Sequence, residues 1–176
     1  MKLLKNIGDI IISIIIAVLI AVFVMKFIGM KAVVYGDSMN PTLFDGQNLI
    51  ASKISYIIDN PERFDVVIVD GTDKEYEKIL IKRVIALPGE TVQIDSSGNI
   101  YINDVKLEEN YGAEKINDPG IARDKITLKE NEYFVMGDNR NHSLDSRSPV
   151  VGVISREQIE AKAIEIKLLG LDKERN

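Results

Sequence analysis

The chain has 176 residues, 45% of them hydrophobic, with 22 basic against 27 acidic side chains, a net charge of −5, one histidine and no cysteine. That length points to one domain, or to one with a small annex. Zero cysteines excludes disulfides, Cys-based zinc sites and a thiol nucleophile, and the acidic balance argues against nucleic acid as a partner, which needs a basic face.

From Ile10 to Met25 every residue except Ser13 is apolar. With Asp9 and Lys26 allowed at its edges, the stretch extends from about Ile7 to Ile28. As a helix it is roughly 33 Å long, enough to cross a hydrocarbon core of about 30 Å. In lipid a helix is the single-segment way to satisfy the backbone, and Lys26 can snorkel to the interface. A cleaved signal peptide is the competing reading. The run is longer than a usual signal-peptide core, and no small-x-small site with a polar start follows it. Residues 1–30 are therefore read as a cytoplasmic tail and single-pass transmembrane anchor, and residues 31–176 as an extracytoplasmic domain. The short tail before one span sets the N-terminus in the cytoplasm. Charge separates the two parts: four basic and one acidic residue through Lys31, net +3, against 18 and 26 beyond it, net −8.

Beyond Lys31 the pattern is mostly strand. Asn48–Ile54, Phe64–Asp70 and Lys78–Leu87 are Val- and Ile-rich runs bounded by Gly, Pro and Asp. Thr91–Asp95 and Asn99–Asn103, joined through Ser96-Ser97-Gly98, read as a β-hairpin. Tyr133–Met136 and Val151–Ile154 are further short strands. Ser155-Arg156-Glu157-Gln158 has capping-box spacing for one helical turn, and Ile159–Leu168 alternates imperfectly as a strand. Asn110–Lys125 is polar and irregular and reads as a mobile surface loop. The fold class is mainly β.

A candidate nucleophile lies shortly after the apolar run. Gly36-Asp37-Ser38-Met39-Asn40-Pro41-Thr42-Leu43 puts Ser38 in a tight turn. At no more than about 3.6 Å per residue, the link from Ile28 keeps Ser38 within roughly 36 Å of a bilayer. Met39 and Phe44 either dip into the interface or pack in the core. A serine hydroxyl needs a base to take its proton. His142 is one candidate, with Asp138 or Asp145 completing a triad, although a lone loop histidine is more often a surface residue. Lys82 is the other. Serving at neutral pH requires its pKa to fall by roughly three units, and only apolar burial supplies that. Ile79-Leu80-Ile81-Lys82-Arg83-Val84-Ile85-Ala86-Leu87 offers such a setting, with Leu80 and Val84 on the lysine's own face. The plainer alternative is a lysine that snorkels to water or pairs with a carboxylate. Asp138–Arg147 reads as a hydrogen-bonded loop held by ion pairs. It lacks the ligand spacing of a calcium loop.

The Ser38 turn, the Lys82 strand and the Asp138–Arg147 loop, in this order behind an apolar N-terminal segment, resemble bacterial type I signal peptidases, in particular the compact Gram-positive form. The likeness also covers Arg63-Phe64-Asp65-Val66-Val67-Ile68-Val69, Pro88-Gly89-Glu90, Asn99–Asn103 and Val151-Gly152-Val153. It implies an antiparallel β-barrel-like catalytic core with a smaller β region inserted at about residues 88–130. It further implies a membrane-anchored serine endopeptidase that removes signal peptides from exported preproteins at the outer face of the cytoplasmic membrane. Ser38 is then the nucleophile and Lys82 the general base. Ser143 falls on the serine that orients the lysine amine, Asp145 and Arg147 on a supporting ion pair, Asp138 and Arg140 on structural positions of the same loop. Arg83, Met39 and Pro41 shape the site. The expected partners are preproteins and the lipid bilayer, with the chain acting as a monomer and using no cofactor or metal.

Two departures accompany the resemblance. Some members carry an oxyanion-binding serine where this chain has Gly36, which leaves the Ser38 N–H to act alone or with a water. Losing such a donor costs about 2.7–4 kcal/mol where it was built in. His142 and Gln47 also stand where asparagine and aspartate are more common, at positions that carry no step of the reaction. Two other readings are a self-cleaving repressor with a Ser/Lys dyad, which needs a DNA-binding module in place of the apolar run, and a membrane-tethered peptide-binding adaptor, which has no use for Lys82 and Ser143 beside Ser38.

Overall fold

The computed structural model describes residues 2–27, 30–71, 79–112 and 114–164; within the first helix it describes the side chains of 8–20 and 22. Helix α1 spans Lys2–Phe27. Among the described residues, no helix is long and apolar enough to cross a membrane. Lys26 and Ile28, at the far edge of the expected span, lie outside the described side chains.

The other described residues are mainly β, with a curled antiparallel sheet of seven strands. They are β1 (Met30–Val33), β2 (Asn48–Ser52), β3 (Val66–Asp70), β4 (Ile79–Ala86), β9 (Glu132–Met136), β10 (Ile154–Ser155) and β11 (Ile159–Ile164), in the order β1-β2-β11-β3-β4-β9-β10. A second sheet of four strands, in the order β7-β6-β5-β8, is built from β5 (Thr91–Ile94), β6 (Ile100–Ile102), β7 (Val105–Lys106) and β8 (Ile126–Thr127). It is inserted in the chain between β4 and β9.

Strand chemistry follows position. β3 and β4 lie inside the large sheet, and both faces of their central residues are buried, which suits their near-continuous apolar runs. β5 and β6 are covered on one face, so Val92, Ile94, Ile100 and Ile102 point inward while Gln93 and Tyr101 are half-buried. Gly98 closes their hairpin at φ +79°, where a Cβ would collide with the Ile116 backbone. The two sheets share one core: Val92, Ile94, Ile100 and Ile102 cluster with Ile85, Ala86, Phe134 and Met136.

Several boundaries differ from the sequence reading. The run at Phe64 starts as strand only at Val66, because Phe64 has φ +72° and turns to donate its N–H to the Val84 carbonyl, 2.8 Å. Of Val151–Ile154 only Ile154 is strand; the Val151 and Gly152 amides fold back onto the Ser148 carbonyl. Asn110–Lys125, expected as a mobile surface loop, holds a 3-10 helix at Gly120–Arg123 and buries Ile116 and Ala122 in the shared core. The Ser155 capping box forms, over a 3-10 turn at Arg156–Gln158. Lys78 and residues 165–168 of the expected strands lie outside the described residues. A short helix α2 at Ser55–Ile58 and the edge strand β1 carried too little periodicity to be read.

Candidate active site

Ser38 sits on the long connection between β1 and β2. Reciprocal contacts close its neck, with Val34 N–H donating to the Gln47 carbonyl and Gly46 N–H to the Val34 carbonyl, 2.9 Å each. Met39 and Leu43, 1% and 3% exposed, peg the connection into a core cluster with Val34 and Leu49. Met39 is therefore a core residue rather than an interfacial one, whereas Phe44 is exposed. Gly36 has φ +78°, a conformation that suits glycine, and its amide donates to Asp45 Oδ1 at 2.8 Å. Pro41 is exposed at the rim of the turn. Gln47 braces the connection by accepting the Phe44 N–H, 3.0 Å.

Lys82 lies mid-strand on β4 opposite Val67, between Leu80 and Val84, which belong to one buried cluster. Its side chain is 3% exposed. Nζ lies 2.7 Å from Ser38 Oγ and donates to the Ile81 carbonyl at 2.9 Å. Burial lowers the lysine pKa to about 8, against the opposing pull of the Asp145 and Asp138 charges. The amine is thus unprotonated in an appreciable fraction of molecules near neutral pH. A neutral amine at this distance has a lone pair placed to accept a proton from the hydroxyl.

Both carboxylates are held by arginines. Asp138, fully buried, takes a two-pronged contact from Arg83, Nε to Oδ1 at 2.8 Å and Nη2 to Oδ2 at 2.6 Å. Thr42 Oγ1 also donates to Asp138 Oδ2, so the Ser38 turn is tied to this pair. Asp145 receives Arg147 Nε and Nη2 at 2.8 Å each and the Gly137 N–H at 3.0 Å. Arg140 does not share these aspartates. It pairs with Glu109 and donates Nε to the Gly137 carbonyl at 3.1 Å.

Gly137 and Asn139 join the loop to the Ser38 turn. A Cβ on Gly137 would collide with Ser143 Oγ and with the Ser38 carbonyl oxygen, so only glycine lets these strands of chain approach. Asn139 N–H donates to the Ser38 carbonyl at 3.0 Å, and Asn139 Nδ2 to the Asp37 carbonyl at 3.1 Å. Ser143 Oγ is buried beside this contact and has no hydrogen-bond partner among the described residues, so the expected bond to the lysine amine is not formed in this structure. His142 is exposed, and both aspartates considered for a triad are occupied by arginine. Among the described residues no three His, Asp or Glu side chains converge on a cation.

Sequence reading passed over Thr42, Glu109, Tyr111 and Gly137. Thr42 stood in the quoted turn and Gly137 at the head of the quoted loop. Glu109 and Tyr111 carried no local signal, because their partners are distant in sequence.

Comparison with known proteins shows the family to which the chain is related. Residues 7–167 match the family model described as signal peptidase, peptidase S26. A signal peptidase I of Bacillus licheniformis is 38% identical over 134 residues, covering 72% of this chain and 70% of that protein. Signal peptidase I S of Bacillus subtilis is 37% identical, covering 76% of this chain and 74% of its own length. A probable signal peptidase I-2 of Synechocystis is also 37% identical over 78% of this chain, which spans 62% of that longer protein. A crystal structure of a signal peptidase I from Enterococcus faecalis superposes with a TM-score of 0.46 at 30% identity, over 59% of this chain and 97% of that one. This chain belongs to the signal peptidase family, peptidase S26.

Proposed function

We propose that this chain is a membrane-anchored endopeptidase that removes signal peptides from exported preproteins with a Ser38/Lys82 dyad. The observation that carries the reading is the 2.7 Å approach of Lys82 Nζ to Ser38 Oγ by a lysine that is 3% exposed. Neutral Lys82 takes the hydroxyl proton as Ser38 Oγ attacks the scissile carbonyl. The resulting ammonium gives its proton to the leaving amine, and the same nitrogen then activates the water that clears the acyl-enzyme. The Ser38 N–H, which no backbone carbonyl takes up among the described residues, serves as donor to the developing oxyanion, alone or with a water. Asp138, Asp145, Arg83, Arg140 and Arg147 hold the loop, and Ser143 steadies the lysine once its hydroxyl turns to the amine.

The anchoring reading rests on the apolar sequence from Ile10 to Met25 and on the exposure of its described side chains, Ile10 to Ile20 and Val22. Exposed isoleucine and valine along a helix suit a lipid environment. Residues 31–176 then form the catalytic domain outside the cytoplasm, within reach of a substrate presented at the same bilayer surface. Shared confinement raises the effective concentration of enzyme and substrate. Cleavage of a preprotein by the full chain in phospholipid vesicles tests this. Ser38→Ala and Lys82→Ala lose cleavage, whereas His142→Ala retains it. Retention by Lys82→Ala together with loss by His142→Ala would replace the dyad with a triad.

A further inference from the structure

The second sheet reaches back to the site through one short stretch. After β7, Leu107 donates its N–H to the Ile100 carbonyl at 2.8 Å and packs on the shared core. The chain then leaves the small sheet, and three of the next residues meet the two arginines behind the dyad. Glu109 takes both Nη atoms of Arg140, in a pair whose side chains are 3% and 10% exposed. Tyr111 lays its ring on the Arg83 guanidinium, 3.8 Å from carbon to ring centroid, and packs against Phe64, whose carbonyl accepts Arg83 Nη1. At Gly112 an added Cβ would sit 3.2 Å from the Arg140 guanidinium carbon, so glycine lets the backbone pass close to that side chain.

We propose that Glu109 and Tyr111 are positioning residues for the peptidase reaction, clamping the Ser143-bearing loop and the Lys82 strand in register; this rests on the Ser38/Lys82 reading above. Arg140 is the link on one side. With its outer nitrogens fixed by Glu109, its Nε holds the Gly137 carbonyl, and Gly137 is wedged between Ser38 and Ser143. Arg83 is the link on the other side. It follows Lys82 on β4, and the tyrosine ring fixes the plane in which it grips Asp138. Removing the Glu109 charge leaves a buried guanidinium without its carboxylate, which draws Arg140 toward water and releases Gly137. The site then loosens, and water reaches the lysine whose basicity depends on dryness.

Kinetics of the full-length protein on a preprotein, across pH, test the clamp. Glu109→Gln lowers kcat roughly tenfold to a hundredfold with KM little changed, as misplacement of reacting groups does. It also moves the acidic limb of kcat/KM to higher pH, because a wetter Lys82 holds its proton longer. Tyr111→Leu acts in the same direction, and Glu109→Asp recovers part of the rate. Lys125→Gln, in an exposed pair on the same small sheet, changes neither quantity. Folded Glu109→Gln and Tyr111→Leu variants with unmoved kcat and limb, alongside an inactive Lys82→Ala, overturn the clamp and leave the dyad standing. A rate loss that merely tracks the unfolded fraction, with the limb unmoved, also overturns it. An active Lys82→Ala removes the dyad itself. Should Glu109→Gln not fold, the limb of Glu109→Asp, which keeps the charge on a shorter arm, decides the matter by the same criterion.

Discussion

Two buried regions of basic side chains meet behind the Ser38 turn, and they are built on opposite rules. In the 137–147 loop and its surroundings, Arg83, Arg140 and Arg147 are all nearly inaccessible to water, and each has a two-pronged contact with its own carboxylate, Asp138, Glu109 or Asp145. On β4, Lys82 is equally buried but has no carboxylate partner among the described residues; its nitrogen meets a hydroxyl and a backbone carbonyl. Arginine keeps its proton under any burial a protein can impose, so it needs a counter-charge. Lysine can yield its proton, and burial without a partner makes it do so. The arginines also keep Asp138 and Asp145 from closing on the lysine. Both aspartates still raise its pKa from a distance, and burial outweighs them.

The sharpest way to break this contrast is Lys82→Met. Loss of the proposed general base lowers cleavage by roughly 10²–10⁴-fold, while the fold gains stability. Lys82 titrates at about 8 in the native state against about 10.4 unfolded, so the native state binds fewer protons between those values. The resulting destabilisation is complete below about pH 8, fades as pH rises and vanishes above about 10.4. It amounts to up to about 3 kcal/mol at neutral pH. Thermal unfolding of Lys82→Met therefore shows a higher midpoint at pH 7, and that gain shrinks between pH 8 and 10.

Asp138→Asn attacks the other rule. It strands the Arg83 charge in the interior and costs about 3–5 kcal/mol in urea unfolding. A loss of less than about 1 kcal/mol would mean that Arg83 finds solvent, and the two regions would then differ less than their burial suggests. Ser143→Ala separates chemistry from stability at the border between the regions. Its hydroxyl makes no bond in the resting structure, so the melting temperature holds, while cleavage falls about tenfold if that hydroxyl turns to the lysine amine during turnover. An unchanged kcat would leave Ser143 outside the reaction. His142→Ala is the smallest change, within about 0.5 kcal/mol in stability and without effect on rate, since the ring is exposed.

The central strands could be read in advance because their apolar runs are long and local. Both ends of β4 and the hairpin of β5 and β6 fell within a residue or two of expectation. Lys82 could be singled out for the same reason, since apolar residues flank it on both sides along its strand. The boundaries at Phe64 and Val151 escaped, because a positive φ and a turn onto Ser148 depend on partners supplied by other segments. The Glu109–Arg140 and Tyr111–Arg83 contacts escaped for a stronger version of that reason. They join residues about thirty positions apart, and nothing near Glu109 marks it as more than a solvated carboxylate.

By itself, the order of residues determined which groups were available: one histidine, no thiol, a serine in a constrained turn and a lysine in an apolar strand. Those are matters of composition and local period, and they hold however the chain packs. Tertiary structure alone decided which of these groups meet, which carboxylate each arginine takes, and that the lysine is left without one. The reason is that the free energy of a proton on nitrogen depends on the water and charge within a few ångströms, and those neighbours are brought there by segments far away in the chain.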